Sequence, residues 1–132
     1  MLFAGLSLAV WGLWGFFSKL GTSVLSAQNV LVFSIIGSII GVMITIIALP
    51  GPLVMNPRGI LYAILSGATS TLGSMFFFLA LRKGPTPIIV SITSLYPLIT
   101  ILLSFLILRE AITLRHALGI ACALLAMFLF AV

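Results

Sequence analysis

The amino-acid sequence predicts an all-α integral membrane protein with five transmembrane helices. Of its 132 residues, 63% are hydrophobic and only 5% are charged, whereas soluble domains devote about a quarter of their residues to charges. The apolar residues form continuous runs of about 20, which is long enough for a helix to cross a bilayer. They lack the alternation of polar and apolar residues that is typical of membrane β-barrel strands. We therefore expect lipid to surround most of the chain.

Charged residues and Pro/Gly clusters mark the ends of the predicted helices. The first helix closes at Lys19 and Gly21, and the second ends at the Pro-Gly-Pro of 50–52, since proline cannot continue a helix. The third follows the Asn-Pro-Arg of 56–58, and the fourth follows the Arg-Lys-Gly-Pro of 82–85. We expect the N-terminal residues to begin the first span rather than a signal peptide, because no basic region precedes the apolar run. The predicted helices occupy about residues 2–20, 30–49, 59–81, 86–108 and 117–132.

The basic residues are divided evenly between the two sides of the membrane. The connections after the first and third helices carry Lys19, Arg82 and Lys83. Those after the second and fourth carry Arg58, Arg109 and Arg115. Because Lys and Arg in short loops set orientation, this tie predicts that the chain inserts both ways up. Two oppositely oriented copies could then pair about an axis in the membrane plane, as the halves of inverted-repeat transporters do. The alternative is that protein context or lipid fixes one orientation.

The third and second helices carry small and polar residues at helical spacing. Ser66, Ser70 and Ser74 recur every fourth residue and so lie on one face of the third helix. Such a face either lines a polar cavity or forms a seam that lets another helix approach closely. In the second helix Gly37 and Gly41 form a small-xxx-small pair, which we interpret as packing.

Pro97 lies at the middle of the fourth predicted helix. It removes one backbone donor and blocks the bond to the carbonyl of Thr93, so we expect a kink and an unpaired acceptor. Ser91, Ser94 and Tyr96 lie within two turns of that carbonyl. Exposed backbone groups at membrane depth are tolerated only in protein or beside a water-filled cavity. This pattern predicts a polar cavity at the kink, the alternative being a kink that serves only shape or hinge motion.

Two tryptophans lie inside the first predicted helix instead of at its ends, where tryptophan usually collects. For Trp14 two interpretations stay open: packing against another helix, or an aromatic wall offered to a substrate. For Trp11 we expect packing.

Several function classes are excluded by what the sequence lacks. The spans contain no ionisable residue beyond their ends, so no buried carboxylate is available to carry a proton. No catalytic constellation, metal-ligand set or phosphate loop is present, so we expect neither an enzyme nor a bound cofactor or metal. The six basic residues form no stripe that could follow a phosphate backbone, so no nucleic-acid partner is expected.

The remaining reactive side chains are expected to be structural. The only acid, Glu110, is expected to pair with Arg109 or Arg115 or to cap a helix. We expect His116 to lie at a helix end and Cys122 to be an inert packing residue.

Four segments together resemble the EamA-type domain of the drug/metabolite transporter superfamily. They are the Leu-Ala-Leu-Arg-Lys-Gly-Pro of 79–85, the Ser-Leu-Tyr-Pro of 94–97, the Leu-Arg-Glu of 108–110, and Gly119 in the last helix. The resemblance covers essentially the whole chain, 1–132, as a single domain. Members of the superfamily typically carry two such five-helix domains, related as inverted repeats.

The resemblance implies that this chain is one half of an inverted-repeat transporter, completed by a second copy or by a different half. It implies a multi-pass protein of a bacterial or archaeal cell membrane that is surrounded by membrane lipid. Such a protein moves a small-molecule substrate across the membrane by alternating access. In the family, the first, third and fourth helices line the cavity. The implied substrate-binding residues are Trp14, Ser70, Ser74, Ser94, Tyr96 and Pro97.

Two alternatives remain beside the antiparallel homodimeric transporter. One is a proton-coupled exporter like the small multidrug resistance proteins, although these have four helices and a membrane-embedded Glu in the first, which this chain lacks. The other is a membrane interaction protein without transport activity, or a half-transporter that needs a different partner.

Overall fold

A computed structural model describes residues 2–111 and 113–131 and shows an all-helical chain over those residues. Four stretches are long and apolar enough to cross a membrane: Leu2–Val24, Ala27–Ala48, Pro57–Lys83 and Thr86–Ile107. The all-α membrane class is therefore confirmed. The apolar stretch Leu114–Ala126 is shorter than these four, so the fifth crossing stays a prediction.

The helices are α1 (Leu2–Val24), α2 (Ala27–Ala48), α3 (Pro57–Lys83), α4 (Thr86–Thr93), α5 (Tyr96–Ile107) and α6 (Leu114–Ala131). They form two compact units. Unit 1 ends at Lys83 and contains α1 to α3, and unit 2 starts at Gly84 and contains α4 to α6.

Polar side chains begin α2 and α3 of unit 1. The Ser26 hydroxyl accepts a hydrogen bond from the Asn29 amide, which places the start of α2 three residues before the predicted one. The Asn56 side-chain oxygen accepts bonds from the amides of Arg58 and Gly59, at 3.0 and 3.2 Å. Residues 57 and 58 thus form the first turn of α3 instead of a loop, since proline is well suited to the first helical position.

The core of unit 1 is small and lies at one end of its three helices. The buried apolar residues are Ala27 at the start of α2 and Phe77, Phe78 and Leu81 near the end of α3. Ser18 and Thr22 of α1 are buried with them. Most other apolar side chains of the unit are exposed, which suits helices whose outer faces meet lipid or a second protein.

The glycine pair of α2 has no close neighbour in unit 1. A Cβ placed at Gly37 or Gly41 would meet nothing within 4 Å, so the predicted packing seam is not used inside this unit and stays a prediction for another surface. The close approach of α1 and α2 occurs instead at Gly21, where a Cβ would lie 3.3 Å from Cγ2 of Val30.

Enlarging Gly21 is expected to destabilise unit 1. A Gly21→Leu side chain would overlap Val30 and force α1 and α2 apart, at a cost of about 1–3 kcal/mol. The Tm in detergent should therefore fall for Gly21→Leu and stay close to that of the parent for Gly12→Leu, whose added Cβ meets nothing within 4 Å. Equal melting of the two variants would contradict the close approach.

In unit 2 the predicted fourth helix, 86–108, is divided into two. α4 ends at Thr93 and α5 begins at Tyr96, with Ser94 and Leu95 in between. The break starts three residues before Pro97. Proline has no backbone amide hydrogen to donate, and its ring clashes with the preceding turn. α4 packs against α6.

Arg109 ends α5. Its φ of 56° places it in the left-handed region, and the amides of Leu108 and Glu110 both bond to the carbonyl of Ser104, at 3.0 and 3.3 Å. The chain turns there towards α6.

Candidate functional site

In unit 1, Trp14 of α1 forms an aromatic cluster with Phe77 and Phe78 of α3. Its ring stacks on Phe77 with a centroid distance of 5.2 Å and an interplanar angle of 18°, and Phe78 lies at 6.0 Å. The indole is nevertheless 44% exposed. Trp14 therefore packs against α3 through one face of its ring, and contact of the exposed part with a substrate stays a prediction. Trp11 is 61% exposed, so it does not pack within unit 1, and its packing against another helix stays a prediction.

Of the two predicted serines in α3, Ser74 lies closer to this cluster. It precedes Phe78 by one helical turn and is half-buried, so it belongs to the face of α3 that packs on α1. Its hydroxyl donates to the carbonyl of Ser70 at 2.9 Å. Ser70 itself is exposed. The predicted polar face is thus present, and only its end at Ser74 reaches the α1–α3 contact.

Lys19, which was predicted to lie at a helix end, joins α1 to α3. α1 continues to Val24, so Lys19 lies more than a turn inside it. The Lys19 ammonium donates to the carbonyl of Leu81 at 2.8 Å. The last carbonyls of a helix lack amide partners and carry the negative end of its dipole. Lys19 therefore caps the C-terminal end of α3.

The sequence contained one signal for this role of Lys19. Ser18 and Thr22 flank it at helical spacing, and both hydroxyls donate to carbonyls of α1, at 2.6 Å to Trp14 and 2.9 Å to Ser18. A polar stripe that continues past Lys19 indicates that the helix continues too.

Removing the Lys19 ammonium is expected to destabilise unit 1. Lys19→Met keeps most of the apolar stem but leaves the Leu81 carbonyl unpaired, at a cost of about 1.5–3 kcal/mol. The Tm in detergent should fall for Lys19→Met, whereas Lys83→Met, which removes an exposed cation from the same end of α3, should melt like the parent. A Lys19→Met protein as stable as Lys83→Met would contradict this role.

In unit 2, the break between α4 and α5 leaves two carbonyls without their usual partners. The amide that would bond to the Thr93 carbonyl belongs to Pro97, which has none. The amide that would bond to the Ser94 carbonyl is that of Leu98, which donates to Leu95 instead, at 3.0 Å. The free acceptor expected at Thr93 is therefore present, and a second one adjoins it.

The hydroxyls around the break use their protons within α4. Ser91 donates to the carbonyl of Pro87 at 2.8 Å, Thr93 to Ile89 at 2.8 Å, and Ser94 to Val90 at 2.7 Å. Their oxygens keep lone pairs for other partners. The break therefore presents mainly hydrogen-bond acceptors.

A groove of about 600 Å³ starts at the break and runs between α5 and α6. Two predicted site residues, Ser94 and Pro97, line it, whereas Tyr96 does not and is 54% exposed. Thr100 and Ser104 also line the groove and were missed, although their spacing from Pro97 places all three on one face of α5. The remaining lining residues are Leu98, Ile101, Phe105, Glu110, Ala111, Arg115, His116, Gly119, Ile120 and Ala123.

Of the two roles expected for Glu110, pairing with Arg109 or Arg115 stays a prediction, and capping of α6 falls to another residue. The exposed Glu110 side chain lines the groove. The first turn of α6 is capped instead by Thr113, whose hydroxyl oxygen accepts from the His116 amide at 3.3 Å. His116 lies in that first turn, as predicted. Cys122 is exposed, so it is not a packing residue within the chain.

The predicted site residues thus fall into two sets. Trp14 and Ser74 lie at the α1–α3 contact of unit 1, with Ser70 one turn further along α3. Ser94 and Pro97 lie together at the break in unit 2.

Comparison with known proteins gives one family and one relative. The model of the EamA-like transporter family matches residues 1–132. An uncharacterised protein of Methanocaldococcus jannaschii is 31% identical over 132 residues, which cover 97% of this chain and 93% of the relative. No solved structure matches the chain.

Proposed function

Since the chain belongs to the EamA-like transporter family, we propose that it moves a small polar or amphipathic metabolite across the cell membrane by alternating access. The family is one of multi-pass membrane transporters within the drug/metabolite transporter superfamily. Beyond family membership, we propose how the chain assembles, where the substrate passes and how transport is driven.

The observation that carries the proposal is the broken helix in unit 2. A helix interrupted at membrane depth, with free carbonyls at Thr93 and Ser94, is costly in lipid and is tolerated where the carbonyls face protein or water. Secondary transporters place substrate and ion sites at such interruptions near the midplane. The break lies at the middle of the span Thr86–Ile107, which supports its use as a substrate site.

The proposed substrate contacts are those implied by the family resemblance. In unit 1 they are Trp14, Ser70 and Ser74, and the exposed part of the Trp14 ring supports a role beyond packing. In unit 2 they are Ser94, Tyr96 and Pro97, with the acceptors of the break beside them.

We propose that two copies of opposite orientation form the pathway, each with five transmembrane helices. The even division of basic residues supports dual insertion. The unpartnered glycines of α2 and the exposed apolar faces of unit 1 support a second protein surface against the chain.

The test is efflux from proteoliposomes that contain the purified chain. Vesicles are loaded with a defined mixture of amino acids, nucleobases and sugars, and the external solution is followed by mass spectrometry. Chain-dependent release of a subset of these compounds is expected. Retention of all of them, with the chain present and folded, would favour a membrane interaction protein or a half that needs another partner.

A proton-coupled exporter is the second candidate, and the exposed Glu110 in the groove favours it. Glu110 lies after the last turn of α5 and not inside a span, so we propose transport without a proton-carrying carboxylate.

Glu110→Gln is therefore expected to retain transport within about twofold, because the amide keeps the shape of the carboxylate. Efflux in the presence and absence of a proton gradient measures this directly. Abolished transport in Glu110→Gln, together with strict dependence on the gradient in the parent, would identify the proton-coupled exporter instead.

A further inference from the structure

The charged end of the groove in unit 2 has no part in the proposed transport. Glu110, Arg115 and His116 line this end, where α5 has ended and α6 begins. Since α5 lies in a membrane span, the connection that follows it meets the lipid headgroups. The chain's only acid thus lies at the interface beside one of its six basic residues.

The middle of the groove is apolar. Leu98, Ile101 and Phe105 of α5 face Ile120 and Ala123 of α6. From Ser104 to Pro97 the groove follows α5 for two turns, about 10 Å towards the bilayer midplane. An occupant must therefore be charged at the interface and apolar at depth, which is the orientation of a membrane lipid.

The charges at the mouth of the groove indicate the headgroup. Glu110 and Arg115 both line the groove and are exposed, so each can meet an opposite charge of the ligand. The Arg115 guanidinium is well suited to a phosphate, and the first turn of α6 favours an anion there. A carboxylate such as that of Glu110 accepts hydrogen bonds from an ammonium group.

We propose that this groove binds a phospholipid whose headgroup carries both a phosphate and a primary amine, as phosphatidylethanolamine does. Arg115 and His116 hold the phosphate, Glu110 accepts from the ammonium, and one hydrocarbon chain lies along Leu98, Ile101 and Ile120.

Native mass spectrometry of the full chain in detergent tests the headgroup. The protein is mixed with equal amounts of phosphatidylethanolamine, phosphatidylcholine and phosphatidylglycerol that share the same acyl chains. The amine lipid should be retained roughly three- to tenfold over phosphatidylcholine, whose methylated nitrogen has no hydrogen to donate to Glu110. Glu110→Gln should remove this preference. Arg115→Gln should weaken retention of all three lipids, and Arg58→Gln, a matched loss of one cation in the first turn of α3, should not.

Blocking the groove tests the path of the hydrocarbon chain. Ile101→Trp fills the groove and should reduce lipid retention severalfold, whereas Leu102→Trp, one residue along α5 and outside the groove, should not. Equal retention of the three lipids, or equal effects of Arg115→Gln and Arg58→Gln, would overturn the assignment. So would a dimer that retains no lipid, since the second copy would then occupy the groove. Lipid retention is measured without a transported substrate, so this result and that of the efflux assay can fail separately.

Discussion

Pro97→Ala is expected to reduce transport at least tenfold and to stabilise the fold at the same time. Alanine supplies an amide to the carbonyl of Thr93 and removes the clash of the ring, so α4 and α5 can join into one helix over Thr86–Ile107. The gain in unfolding free energy is up to about 3 kcal/mol. The same change removes the free acceptors that we propose for substrate.

The opposite signs of the two effects separate loss of function from loss of folding. Efflux from proteoliposomes and the Tm in detergent are measured on the same preparation. Pro52→Ala is the matched control, because Pro52 lies between α2 and α3, outside any helix, and it should change neither quantity. Transport by Pro97→Ala at the parent rate would show that the break serves only shape.

A single added arginine, in a connection on either side of the membrane, is expected to abolish transport. Co-expression of the two variants, one for each side, is expected to restore it. Leu53→Arg adds a cation to the side that carries Arg58, and Leu25→Arg adds one to the opposite side. Because the basic residues are tied, a single added charge should give each variant one orientation, opposite for the two. Each variant alone would form only parallel pairs, and co-expression would restore antiparallel ones.

Efflux activity of membranes with one or both variants measures this effect. Each variant alone should retain less than about a tenth of the parent activity, and the co-expressed pair should recover most of it. Leu53→Gln and Leu25→Gln are the matched controls, since they add polarity without charge. Full activity of either arginine variant alone would contradict the antiparallel assembly.

The kink at Pro97 followed from the sequence because its cause is local, whereas its extent, a division of the helix into α4 and α5, did not. Proline lacks an amide hydrogen wherever it lies, so the free carbonyl of Thr93 could be predicted from Pro97 alone. The four longest spans followed from apolar composition in the same way. The ends of α1 and α2 were misplaced, because Gly21 continues a helix when it allows close contact with Val30.

Contacts between helices could not be predicted, because they depend on which faces meet. Lys19 was predicted to close the first helix, and only the nearby Leu81 carbonyl makes it a cap of α3. The glycines of α2 have a sequence pattern typical of packing, yet no neighbour lies against them within unit 1. Thr100 and Ser104 could not be predicted to line a groove, because that depends on α6 lying beside their face of α5.

The proposed pathway requires two copies of opposite orientation, and cysteine labelling measures orientation directly. In a Cys122→Ala background, Leu53→Cys and Leu25→Cys place single thiols on opposite sides of the membrane. A membrane-impermeant maleimide is added to sealed cells or vesicles and then again after permeabilisation. About half of each thiol is expected to react before permeabilisation and the rest afterwards. Complete reaction of one thiol from outside, with none of the other, would contradict the antiparallel homodimer.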